Sequence, residues 1–492
     1  MRKRLIAVVA VVVLVGVAVA AVPILEEHAA AQIKAGMERD GTTKVAKVEV
    51  GLFARRIVLE DLHFAANGMN GTVKRAEGGG LAWPIGELLQ GRTPFSGWVL
   101  GDPLQASHVE LKDFDIGDPG GARLSAQELT VKGLDLARFD GRHAGQFAAT
   151  VLTARTLAAL TMGSLAASNL MVALPGSGDT IGAAHIAVDG YDRGRIDSLG
   201  LEGIEAAAKE AKTPLYKVER IAARKLDLSP MLAAMSSIDW VPGAPIGRVH
   251  VDDFSVTGFG GETLSNLGIS LKAITLQTER EGEQKSRSRL RIEEFVYSPP
   301  LRSFQNAHAR LALTGMGLTE VKLDLDCGGS EDRQKNELNF GPCKLAGAGL
   351  GDLETSGRIV NADPIFWQAV DNGGAAPLGE SKAALGSAKL VLVDKSFLER
   401  GLKLLSTYSR KSVAETRSNL AGEIRNYQPP DVMISQDLTK FLDTVARFVE
   451  QGGTLAIEAK PDPPIELNRL ESLARPGADV VGLLGLTATV SR

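Results

Sequence analysis

Aromatic residues make up only 5% of the 492-residue chain, and the formal net charge is −4. Neither value suits nucleic acid. Phosphate neutralisation needs clustered Lys and Arg, and single-strand binding needs aromatic platforms beside them. No nucleic-acid partner is expected. The seven histidines, His28, His63, His108, His143, His185, His250 and His308, form no HxH or HExxH pair. There is no GxSxG elbow and no GxxxxGK[ST] phosphate loop. Gly347, Gly349 and Gly351 alternate within LAGAGLGDL, but no helix signal follows, which argues against a nucleotide loop. Glu60, Asp113, Asp253 and Glu294 recur once per copy of the pattern described below, whereas an active site needs one converging cluster. The chain is therefore read as a non-enzyme with no cofactor and no metal.

Cysteine is almost absent. The only two, Cys327 and Cys343, flank the polar stretch GGSEDRQKNE between alternating segments, Val321-Leu323-Leu325 and Leu338-Phe340. No His lies close by at ligand spacing, which argues against zinc. Pairing across a hairpin centred near Lys335 would close a loop of about 15 residues, and the chain-entropy model values this at roughly 3 kcal/mol. A disulfide fits an oxidising compartment such as a bacterial periplasm. Two unrelated buried thiols are the alternative.

What the chain does have begins with MRKR and then Leu5–Val22, apolar apart from Gly16. Such a stretch can just span a bilayer core as a helix, with Arg2, Lys3 and Arg4 staying cytoplasmic. Residues 1–25 read as a single-pass inner-membrane anchor, and Ala18-Val19-Ala20 also fits the cleavage rule of a signal peptide. Ile24–Arg39 follows as an amphipathic helix.

Next comes RIVLEDLHF, Arg56–Phe64. Ile57 and Leu59 are apolar, the phase shifts, and Leu62 and Phe64 resume. Strand side chains alternate with period two, so a bulge near Glu60-Asp61 is needed to keep all four on one face. The pattern returns at Val109, Leu111, Phe114 and Ile116 and at Leu129, Val131, Leu134 and Leu136. Later copies start with Val249 and Val251, Ile269 and Leu271, Leu290 and Ile292, and Leu311 and Leu313. Weaker ones start at Leu165, Ile186, Leu199 and Ile221. The spacing of the strong later copies, one strand plus a loop each time, is the signature of a repetitive β architecture. Ile204–Ala211 and Pro230–Ser237 read as helical interruptions, LAWPIGELLQG as a strand end and a short helix, and Trp98–Leu104 as a returning strand.

The N-terminal apolar helix, the amphipathic helix, VEVGLFARRIVLEDLHF and the strand–helix–strand stretch after it resemble the start of AsmA-like proteins of Gram-negative envelopes, relatives of TamB. The resemblance covers about the first 120 residues well and continues to about residue 360 as a style of β-repeat. It implies a periplasmic ectodomain whose apolar groove carries lipid acyl chains or assists envelope assembly.

From Lys389 the character changes. Leu390–Val393 is an apolar strand, and Asp394 or Ser396 can cap a helix bearing Phe397, Leu398, Leu402 and Leu405. Helices over Val413–Tyr427 and Gln436–Glu450 follow, then a strand Thr454–Ala459, a short helix near Leu467–Leu473 and a last strand Gly485–Val490.

The expected architecture is mainly β: an elongated, twisted repetitive sheet with an open or taco-like groove. Residues 1–25 anchor it, 26–388 form the β-repeat ectodomain, and 389–492 form a small α/β element or cap. The groove candidates are Ile57, Leu59, Val109, Leu111, Val249, Val251, Ile269, Leu271, Leu290, Ile292, Leu311 and Leu313. The expected role is envelope biogenesis at the bacterial inner membrane, with the bulk in the periplasm, holding or transferring acyl chains. Two other readings are a scaffold that binds a protein partner, and a β-helix enzyme acting on polysaccharide, which would need a paired-carboxylate cleft that the sequence does not display.

Overall fold

A computed structural model describes residues 22–492 apart from 40, 67–68, 95, 144, 210, 212, 245–246, 283, 302–305, 372–377, 429–433 and 475–478, and apart from the side chains of 66, 378 and 471–474. The expected anchor lies almost wholly outside the described residues. No helix among those described is long and apolar enough to cross a membrane. The chain divides into two compact units, Met1–His250 and Val251–Arg492.

The first unit is an antiparallel meander in chain order: β1 (Thr43–Gly51), β2 (Arg56–Ala66), β3 (Met69–Gly79), β4 (Leu104–Gly117), β5 (Arg123–Leu136), β6 (Leu160–Ala173), β7 (Thr180–Asp192), β8 (Arg195–Ala207) and β9 (Tyr216–Asp227). The repeated pattern becomes rows that cross this sheet. Leu59 lies in register with Val48 on one side and with Ala76, Leu111, Leu129, Ala167, Ile186, Leu201 and Ile221 in succession on the other. Leu62 lies with Val45, Val73, Phe114 and Ala126. Members of both rows meet in one cluster around buried Val73, Phe114 and Ala126, so the rows share a face although they are three residues apart.

The phase step that makes this possible sits where the sequence places it, but its form differs. Asp61 is left-handed (φ 51°), as are Asp113 (46°), Asn169 (50°) and Gly203 (61°), and these four stand in line on alternate strands. A second line holds Gly133 (62°), Gly190 (62°) and Lys225 (51°). A two-against-one bulge would shift the register, yet the register of this unit is unbroken. Each left-handed residue reverses the alternation in its own strand, and the neighbouring strand steps beside it. The sheet is creased along two lines, and one face stays apolar across them. Asp and Asn tolerate this conformation better than other side chains because their short polar groups bond locally.

Among the described residues this unit has four helices: α1 (residues 22–38), α2 (Ile85–Leu89), α3 (Ala148–Ala159) and α4 (Ser229–Met235). α4 is the expected interruption at 230–237. The other one, expected at 204–211, is strand as far as Ala207, because Ile204 pairs with Val218. The strand expected over 98–104 reduces to Leu104, with turns before it. α3, not foreseen, is held by the Tyr191 hydroxyl, which donates to the Leu157 carbonyl at 2.9 Å. Burial raises that phenol to about 12.

The second unit continues the same architecture with β10 (Asp253–Gly260), β11 (Ile269–Arg280), β12 (Lys285–Tyr297), β13 (Val321–Asp332), β14 (Glu337–Gly347), β15 (Gly351–Val360) and β16 (Ala384–Asp394). β16 is paired to β17 (Thr454–Ala459) and to β18 (Ile465–Glu466), and β17 to β19 (Leu486–Ser491). An apolar row runs Val256, Ile274, Ile292, Leu325, Leu345, Leu353, Leu392, Leu455, Val490. Here the register does shift, between Ile292 and Phe295 where Glu294 is left-handed, and again in the next three pairings. Cys327 and Cys343 are direct cross-strand partners and form a disulfide. The glycines of LAGAGLGDL make the β14–β15 turn, and no helix follows.

Two of the later copies depart from the expected strand, the first at its start only and the second throughout. Val249 and Val251 precede β10, and the left-handed step of that strand falls at Gly258, away from Asp253. Leu311 and Leu313 lie on helix α6 (Ala307–Gly315), where alanine and leucine outweigh β-branched residues. Helices α5 (Glu262–Leu267) and α7 (Pro364–Asp371) were also unforeseen. The C-terminal helices α8 (Phe397–Ser409), α9 (Val413–Arg425) and α10 (Gln436–Gln451) lie close to the expected spans, the short helix expected near Leu467–Leu473 is a 3-10 helix over Leu467–Ala474, and α11 (Val480–Leu484) was not foreseen. Ser412 and Glu415 form a full capping box on α9, and the Asp394 side chain accepts from the Leu398 amide at 2.9 Å. After residue 388 the strands β16, β17 and β19 extend the sheet of the second unit.

Candidate functional site: an apolar pocket beneath the first helix

α1 lies across one end of the apolar face of the first unit. Its Ala29 and Ile33 are buried against Val50, Leu52, Ile57, Leu81, Leu88 and Ala106. Polar bonds fix it to β1. Glu26 accepts from the Leu52 amide at 3.0 Å, Glu38 from the Val45 amide at 3.1 Å, and Lys34 Nζ donates to the Ala46 carbonyl at 2.9 Å. Among the described residues β1 pairs only with β2, so these side chains also satisfy the outer edge of the sheet, which would otherwise invite pairing.

Between α1 and the sheet is a partly open pocket of about 940 Å³. Its floor is Ile57, Leu59, Ala76, Val109, Leu111, Ala106, Leu104 and Leu134, and its roof is Ile33, Gly36 and Met37. Gln32, Arg39, Gln90, Arg92, Thr93 and Ser96 give it a polar rim. Gly91 sets how closely the rim approaches α1. It is left-handed (φ 76°), and a Cβ there would stand 2.8–3.0 Å from Gln32, so only glycine fits. Arg92 pairs with Glu87 at 3.1 Å, and its carbonyl accepts from Trp83 Nε1 at 3.1 Å, which steadies the segment.

On the border lies Glu77, which takes both oxygens of its carboxylate to Arg56 (2.6 and 2.8 Å) and shares one with Arg75 (2.8 Å). The Arg56 guanidinium chiefly, then Arg75, holds it down at about 2 against the cost of burial. This ion cluster ties β2 to β3 and is not poised for proton transfer. Among the described residues no group of three or more His, Cys, Asp or Glu could hold a metal ion.

Four of the twelve groove candidates, Ile57, Leu59, Val109 and Leu111, line this pocket together. Ile269, Leu271, Leu290 and Ile292 lie in the second unit, where Leu271 pairs with Phe295 and Leu290 with Leu276. Val249 is exposed, Val251 half-buried, Leu311 63% exposed, and Leu313 buried at 6% on its helix. These last four are not groove positions on strands. Sequence reasoning missed the roof and rim of the pocket. Gly91 at the close of LAWPIGELLQG was the one visible signal, a glycine at a helix end.

A family model described as "Uncharacterized protein" matches residues 344–491. That segment runs from within β14 through β19 and does not include the pocket. No curated protein matches the chain.

Proposed function

We propose that the protein holds or transfers lipid acyl chains at the bacterial inner membrane, anchored by its N-terminal apolar stretch with its bulk in the periplasm, as part of envelope biogenesis. The observation that carries this reading is the pocket. Its floor is aliphatic, its rim is polar, and its volume suits a ligand of about the size that specific pockets enclose. Its roof is the helix that directly follows the apolar stretch, which would place the mouth near a membrane surface. Each methylene moved from water to such a site contributes about 0.8 kcal/mol, so the aliphatic floor favours an acyl chain.

The test is lipid analysis of the purified protein by native mass spectrometry, with Gly36→Leu as the variant. Gly36 lines the pocket and has open space apart from the Gly91 carbonyl 3.8 Å away, so leucine there fills the pocket and favours the helix. Co-purifying lipid that falls in Gly36→Leu supports the reading. A folded wild-type protein without lipid contradicts it.

A second reading is a non-catalytic scaffold that binds a protein partner. It is favoured by β19, whose sequence LTATVS carries neither charge nor proline and which pairs only with β17 among the described residues.

A further inference from the structure

A second concavity of the first unit gathers cations. It encloses about 620 Å³, and its lining includes Arg138, Arg155 and Arg193 with a single carboxylate, Asp140. Four segments meet there: the loop after β5, α3, the β7–β8 turn and the end of α4.

Arg155 is its fixed part, with a side chain only 15% exposed. Its Nε donates to the Ser236 carbonyl at 3.1 Å, and its Nη1 to the carbonyls of Asp140 at 3.1 Å and Arg142 at 3.2 Å. Most of its acceptors are neutral. The only carboxylate it meets is Asp140, at 3.4 Å and itself exposed, and Nη2 has no acceptor among the described residues. The guanidinium is thus locked in place with its charge largely uncompensated. Arg193 stands at the turn in a left-handed conformation (φ 49°), without a carboxylate partner among the described residues. Arg138 meets Asp102 only at 3.7 Å, with its own side chain exposed, a pair that water screens.

Guanidinium forks match the oxygens of a phosphate two at a time, and converging arginines are a usual means of recognising it. We propose that this concavity binds a phosphate group, carried either by free inorganic phosphate or by a lipid headgroup. The site stands apart from the apolar pocket and does not rest on acyl-chain binding.

The test is isothermal titration of the full-length protein with inorganic phosphate and, separately, with a short-chain phosphatidic acid below its micelle concentration. Arg138→Gln and Arg193→Gln are the variants, because both side chains lie outside the hydrogen bonds that hold the fold; Arg155 is left intact. Each variant is expected to weaken binding about tenfold, the loss of one charge-assisted bond. Phosphatidic acid is titrated in the Gly36→Leu background, so that its acyl chains do not report on the apolar pocket, and Gly36→Leu is expected to leave the binding of inorganic phosphate unchanged. Binding of both ligands, lost in the arginine variants, assigns the site to the phosphate group itself. Binding of phosphatidic acid alone, with the same loss, assigns it to a headgroup. No binding of either, or binding that the double arginine variant retains, overturns the proposal.

Discussion

The creases of the first unit make a prediction that opposes strand propensity. Asp113 lies mid-strand in β4 with φ 46°. Its ion pair with Lys74, at 3.6 Å between two exposed groups, contributes a few tenths of a kcal/mol at most. Asp113→Gly relieves the strain of the left-handed conformation but gains freedom in the unfolded chain, about 0.4–1 kcal/mol. The two terms nearly cancel, so the variant should match wild type within about 0.5 kcal/mol. Asp113→Val places a β-branched residue in a conformation that costs an L side chain about 1–2 kcal/mol. Strand propensity alone would favour valine over glycine by up to about 1 kcal/mol. The creased sheet predicts the reverse, glycine above valine by roughly 1 kcal/mol, since the strain at valine exceeds what glycine gives up in the unfolded chain. Urea titration followed by tryptophan fluorescence reads this, since Trp83, Trp98 and Trp240 all lie in the first unit. The adjacent Lys112 is not left-handed, so there valine should exceed glycine. Valine equal to or better than glycine at 113 would refute the crease.

Other expectations follow from single contacts. Glu77 is held at about 2, below its value in an unfolded chain, so its contribution is complete above roughly pH 4.5 and is lost as pH falls towards 2. It amounts to something on the order of 1–3 kcal/mol, and Glu77→Gln should flatten acid unfolding of the first unit over that window. Reducing the Cys327–Cys343 disulfide, with a sequence separation of 16, should lower the stability of the second unit by about 3 kcal/mol in calorimetry, and a negligible change would mean that the reduced chain already keeps the hairpin closed. Ser412→Ala removes the bond to the Glu415 amide, and with it about 1 kcal/mol of stability in denaturant titration, while Ser412→Asp should keep most of it.

The rows of the first sheet were legible because the apolar spacing repeats with a polar or glycine residue at the step: Asp61, Asp113 and Gly133 all carry the left-handed conformation. The C-terminal helices were legible from their caps, Ser412 with Glu415 above all. The failures share a cause. The copy at Leu311 matched apolar positions only, and the alanines around it turn the same spacing into a helix. α3, with AATVLTARTLAA, has no clear polar stripe and shows its helical nature only once Leu157 receives the Tyr191 hydroxyl from a distant strand. The apolar floor of the pocket could be read from Ile57, Leu59, Val109 and Leu111. The roof could not, since nothing in α1 says which rows of the sheet it covers. The cationic concavity was invisible for a similar reason: Arg138, Arg155 and Arg193 are spread over some fifty residues and meet only through the order of the strands.

The most direct test of the central claim is photo-crosslinking in cells, with a photoreactive residue replacing Leu59 or Leu111 on the pocket floor and Lys112 or Glu128 as controls from the polar row between the apolar ones. Acyl-chain handling predicts lipid adducts at Leu59 and Leu111 and none at the controls. Folded, membrane-bound protein with no lipid adduct at either floor position would contradict it.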